Sequence, residues 1–198
     1  MLTTYPSDIS QRSTWVYILL SLPYFFSACD TSFSPSSNES RLIQPEQVTE
    51  WLPVVNGSDW SLTPTEIDPY HSYAIDRTPC LKTAFGEEYG GVEVSTQTCN
   101  YITLQQALRH HLYKGQLLEI SFWHGLLIHS QSAEAVITLM IDGQELWSKL
   151  LPIPSPPQTW IDYVHLPRDV SAGSLIYLHI RNHGTNSYTL HRLSIGQR

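Results

Sequence analysis

The sequence predicts an all-β domain, and three observations carry that expectation. Apolar and polar residues alternate with a period of two in run after run, as in strands with one buried face. Turn residues separate those runs at regular spacing, most plainly Asp142-Gly143, a pair suited to a tight hairpin. Sustained 3.6-residue periodicity is missing, residues 104–113 being the one stretch with room for a short helix.

The strands follow in order. Runs near residues 80–85, 92–98 and 101–105 come first, with Glu87-Glu88-Tyr89-Gly90-Gly91 as a turn signal among them. Leu118, Ile120 and Phe122 then alternate with Glu119, Ser121 and Trp123. Ala135, Ile137, Leu139 and Ile141 alternate with Val136, Thr138, Met140 and Asp142, and the run at 145–151 returns from the Asp142-Gly143 turn. The Pro-rich stretch PIPSPPQ reads as a rigid loop before a run at 160–166. Ile176, Leu178 and Ile180 alternate with Tyr177, His179 and Arg181, and residues 188–195 alternate once more. That makes about nine strands with the spacing of a sandwich or barrel.

Composition bounds the function. The 198 residues carry 11 Lys+Arg against 18 Asp+Glu, a net charge of −7, which argues against a nucleic-acid partner. A hydrophobic content of 41% is enough for a core and excludes wholesale disorder. G-x-S-x-G, HExxH and P-loop patterns are missing, so the sequence predicts no catalysis. Nine histidines do not form a metal-ligand spacing: His110 and His111 are adjacent, and His179 and His183 bridge a strand and a turn. No metal and no cofactor is therefore expected.

Before the β-rich part, residues 15–26 (WVYILLSLPYFF) form an uncharged apolar run. It is too short for a membrane span, which needs about 20 residues, and has the length of a signal-peptide core. The expected organisation is a signal peptide over 1–28, a Ser-rich tether over 29–41, an irregular lead-in packed on the domain over 42–77, and a β-sandwich over 78–198. The stretch Phe26-Ser27-Ala28-Cys29 resembles the lipobox of bacterial lipoproteins. That resemblance implies a lipidated Cys29 as the mature N-terminus and a membrane reached through the lipid alone. A plain signal peptide cut near Ala28, or an uncleaved anchor, are the alternatives. With Cys29 set aside, Cys80 and Cys99 remain as an even pair bound for an oxidising compartment, either disulfide-bonded or two buried thiols.

Several local features recur together. Lys114-Gly115-Gln116 precedes LLEISFWH, the hairpin at 141–147 reads IDGQELW, Ser171-Ala172-Gly173-Ser174 precedes LIYLHI, and SYTLHRLSI closes the chain. Over roughly residues 78–196 this pattern resembles jelly-roll domains of the galactose-binding-like class, which include many carbohydrate-binding modules. The resemblance implies a jelly-roll-type β-sandwich whose ligand is held by polar end-loop residues together with a Trp or Tyr. It carries over no calcium ligand and no aromatic platform.

The candidate ligand-binding residues are Asn182, His183, Thr185 and Asn186 in one polar loop, with Tyr188 and Trp123. Amides and an imidazole can bond vicinal hydroxyls, and loops on rigid scaffolds concentrate binding residues. The same composition also describes a turn whose amides cap backbone groups. Trp123 and Trp147 are stacking candidates or packing residues. Tyr177, His179 and Arg181 share one strand face, which either lines a groove or is solvated. The leading expectation is an exported, lipid-anchored, non-catalytic envelope protein binding a glycan or other cell-surface component. The competing ones are an assembly lipoprotein binding an envelope protein through a sheet face or edge, and a small polysaccharide-active hydrolase or lyase.

Overall fold

The computed structural model describes residues 42–71 and 78–197. The expected signal peptide, Cys29 and tether lie outside the described residues, as does the lead-in over 72–77. The strands are β1 (Glu50–Pro53), β2 (Ser61–Leu62), β3 (Phe85–Glu88), β4 (Gly91–Ser95), β5 (Tyr101–Ala107), β6 (Leu117–His124), β7 (Ala133–Ile141), β8 (Gln144–Ile153), β9 (Gln158–His165), β10 (Leu175–Arg181) and β11 (Ser187–Gln197). They form two antiparallel sheets. The first runs β3-β4-β11-β6-β9, with β1 added to β11, and the second runs β2-β5-β10-β7-β8.

The alternation seen in the sequence builds the layer between them. Leu118, Ile120 and Phe122 of β6 and Tyr188, Leu190, Leu193 and Ile195 of β11 face Ile137, Leu139, Leu178 and Ile180 of the second sheet, all essentially buried. Each such side chain stabilises the fold by roughly 1.5–3 kcal/mol relative to exposure. Between Leu190 and Leu193 the apolar spacing is three instead of two. A β-bulge beside His191 absorbs the extra residue and returns Leu193 to the core. A second bulge between Met140 and Leu139 pairs β8 so that Trp147 also turns inward.

The β7–β8 turn places Asp142 at φ 47° and Gly143 at φ 78°, the double positive φ of a type I′ hairpin. Tyr89 and Gly90 do the same between β3 and β4, at φ 50° and 82°. The helix allowed for residues 104–113 does not form. Leu104 and Gln106 point inward as strand residues, and Leu108 and Leu112 plug the end of the sandwich from a loop bonded to Ser174 and Val170. Their spacing of four looked helical, but it reflects two separate insertions into the core.

Cys80 and Cys99 form a disulfide. It sits beside the start of β5, where the Cys80 amide donates to the Tyr101 carbonyl at 2.8 Å, and the β3–β4 hairpin lies between the two cysteines in the chain. Closing a loop of this length stabilises by about 3 kcal/mol in the chain-entropy model. The lead-in residues bind both sheets: β1 pairs the end of β11, and β2 pairs β5. Between them Asn56 exchanges two hydrogen bonds with the Gln106 amide, and Val54 and Trp60 are buried.

Candidate functional site

The polar loop after β10 is wired inward. Asn182 donates through its side-chain amide to Thr96 Oγ1 and to the Gly184 carbonyl, both at 2.7 Å. Its own Oδ1 accepts from Asn186 Nδ2 at 2.9 Å and from the Tyr188 hydroxyl. Asn186 also donates to the His183 carbonyl at 2.8 Å, and its Oδ1 accepts from the Ile128 amide at 2.7 Å. Gly184 is required there: φ is 88° and a Cβ would collide with the Ile128 carbonyl. Asn182, Asn186 and Tyr188 are at most 4% exposed, and burial pushes the Tyr188 phenol up from its ordinary pKa. The amides therefore cap the backbone of their own loop and of Ile128. Of the residues expected to meet a ligand, His183 and Thr185 are exposed and Trp123 is half-buried.

The structure places a groove elsewhere, on the outer face of the second sheet. Tyr101, Thr103, Thr138, Tyr177 and His179 point away from the core, yet each is under 9% exposed. They are covered by the lead-in. The Thr63 amide donates to the Thr103 carbonyl at 2.9 Å, Asp68 accepts from the Tyr101 hydroxyl, and the Tyr70 ring stacks on His179 with centroids 3.9 Å apart. Thr103 Oγ1 lies 3.0 Å from His179 Nδ1, joining the chain of polar contacts from Asp68 to β10. Burial, and then the charges of Asp142 and Asp68, raise the Tyr177 phenol pKa.

On the β2 side of this strap is a cleft of about 400 Å³ floored by Tyr101 and Thr103 and edged by Leu62, Thr63 and Asp68. On the β8 side a cleft of about 190 Å³ is walled by Tyr70 and floored by Thr138, Ser148, His179 and Arg181. The hydroxyls of Thr138 and Ser148 lie 3.3 Å apart. Arg181 also borders a shallower depression that contains Glu134 and His183, so the surface continues to the polar loop. Of the face shared by Tyr177, His179 and Arg181, the last two therefore line a groove, and Tyr177 is buried. Tyr70 had no sequence signal, because only the path of the lead-in brings it there.

The outer face of the first sheet is different. Trp123 is half-buried in a row with Thr189, which pairs with Glu93 in turn. Burial and then the neighbouring Glu88 raise the Glu93 carboxyl pKa. Further along, Arg192 is ion-paired with Glu119, and Trp51 meets Tyr163 with ring centroids 5.7 Å apart. Trp147 is a packing residue, its indole N–H donating to Asp162 at 2.9 Å. Among the described residues no group of three His, Cys, Asp or Glu side chains is arranged to hold a metal ion.

No known protein family matches the chain, and no curated protein does. Among solved structures, the chain is similar to a CBM4 carbohydrate-binding module (13% identity, TM-score 0.44, covering 72% of this chain and 99% of that one). It is similar also to CBM61 in complex with β-1,4-galactotriose (10%, 0.39, 72% and 92%). A third is CBM51 of Clostridium perfringens in complex with methyl-galactose (9%, 0.33, 60% and 78%). The fold itself stands on the two sheets described above.

Proposed function

We propose that this domain is a non-catalytic glycan-binding module, exported and lipid-anchored through Cys29, with its ligand in the groove on the outer face of the second sheet. The observation that supports this most is the walled polar floor beneath Tyr70. Hydroxyls of Thr138 and Ser148, the His179 imidazole and the Arg181 guanidinium converge there on rigid strands. A concave surface with an aromatic wall and a few placed polar groups suits a hydroxyl-rich ring. His183 borders the depression that adjoins it at Arg181, while Asn182, Asn186 and Tyr188 hold the loop.

The test is a panel of immobilised polysaccharides probed with the full chain and two variants. Ser148 is exposed, so Ser148→Trp fills the groove without entering the core. Trp123→Ala strips the opposite sheet. Binding lost in the first and kept in the second supports the groove; the reverse pattern moves the site to the first sheet. A competing reading, a protein partner on the first sheet, is favoured by Ile161 and Tyr163, 50% and 42% exposed on neighbouring outward positions of β9. A panel without any binding shifts the weight to it. For the anchor, palmitate labelling should be lost in Cys29→Ser, and equal labelling removes the lipid from the proposal.

A further inference from the structure

Arg181 is the group in the groove whose chemistry is left unspent. Its backbone is held at the end of β10, between Tyr101 of β5 and Val136 of β7, which anchors the base of the side chain. Its Nε is buried and has no hydrogen-bond partner. Among the described residues, the arginines at 109, 168 and 192 each lie within 4.0 Å of a carboxylate, and Arg181 does not. Glu134 and Glu145 stand on either side of it, exposed, and neither is ion-paired to it. A buried donor without an acceptor is costly, and a partly desolvated guanidinium more so.

The shape of the missing acceptor follows from the donor. A guanidinium presents a planar fork that a carboxylate meets with two parallel bonds, each roughly twice as strong as a bond to a neutral hydroxyl. The Thr138 and Ser148 hydroxyls, 3.3 Å apart on paired positions of β7 and β8, line the same cleft and are available to the remaining polar atoms of a ring. We infer that the groove selects uronate-bearing glycans and that Arg181 takes the sugar carboxylate. This rests on the reading of the groove as a glycan site.

The experiment compares polygalacturonate, alginate and glucuronoxylan with their carboxyl-reduced forms, using the full chain. Wild type should bind at least one acidic polymer about tenfold more tightly than its reduced counterpart, and added salt should erode the difference. Arg181→Gln should abolish the preference, so that each acidic polymer binds no more tightly than its reduced form. Arg181→Lys, which keeps the charge and loses the fork, should fall between the two. Denaturant unfolding of each variant verifies that it is folded. Equal binding of acidic and reduced polymers, or a preference that survives Arg181→Gln, overturns the inference. In those cases the groove reading stands, provided that Ser148→Trp still abolishes binding. A sulfated galactan bound as tightly as the uronates, and lost equally in Arg181→Gln, overturns the carboxylate assignment in favour of any anion. Binding of no polymer removes the groove reading and the inference with it.

Discussion

Arg181 and Asn182 are neighbours in the chain with opposite fates. Asn182 turns into the end of the sandwich, where it exchanges hydrogen bonds with Thr96, Gly184, Asn186 and Tyr188. Arg181 turns onto the outer face of the second sheet, where its Nε is buried without an acceptor. Both regions are rich in polar side chains. In one the groups satisfy each other; in the other Thr138 and Ser148, and Thr103 and His179, do so while the Arg181 Nε beside them has no acceptor. Polar composition marks neither stability nor binding by itself, and a count of donors and acceptors separates the two.

The largest effect expected from this contrast lies in the loop. Asn182→Ala takes from the buried Tyr188 hydroxyl and from Asn186 Nδ2 the oxygen they donate to, and from Thr96 Oγ1 and the Gly184 carbonyl the amide that donates to them. Losses of this kind cost about 1–3 kcal/mol per stranded group, so the domain should lose about 2–4 kcal/mol in urea unfolding. A loss below about 0.5 kcal/mol would show that the network is ornamental and return Asn182 to the list of ligand-binding candidates.

Acid should also tell the regions apart. His124 lies next to the loop, 1% exposed, with its Nδ1–H donating to the Gly125 carbonyl at 2.6 Å and its ring 4.8 Å from Trp160. Burial lowers its pKa, and the bond to Gly125 only partly opposes that. The folded value therefore lies below the unfolded one. His124 contributes stability that is present above the ordinary imidazole range, near 6.5, and lost as pH falls through the folded value. Urea midpoints should drop on acidification from about pH 7 to about pH 5, and His124→Gln should flatten that slope. An identical slope in the variant would assign the acid sensitivity to other groups.

Most of the fold was legible because period-two alternation is a direct print of a two-layered sandwich. Leu118, Ile120 and Phe122 point inward as that period demands. The two bulges and the Leu108–Leu112 plug escaped because each breaks the period at a single point, and the break looks like noise or a helical turn. The candidate site was half legible. Tyr177, His179 and Arg181 could be placed on one face, but whether that face was open depended on where residues 63–71 run. A chain crossing is a long-range event with no local signature. The polar loop left both readings open for the opposite reason: Asn, Gly and Thr serve turns and ligands equally well, and the capping shows only in distances such as the 2.7 Å from Asn186 to the Ile128 amide.

The smallest expected effect is the one that sharpens the contrast most. Arg181→Gln removes a charge that has no carboxylate within 4.0 Å among the described residues, and the Gln side chain retains part of the stem beside Val136. Lost packing destabilises; relief from holding an unsatisfied guanidinium stabilises. These oppose each other, and the unfolding free energy without ligand should move by less than about 0.5 kcal/mol, the range of ordinary surface changes. Asn182→Ala, one residue away, should then exceed it several-fold. If instead the two variants lose similar amounts, Arg181 is anchoring the strap over 63–71 as part of the fold. Its unpaired state would then cease to be an argument for a ligand.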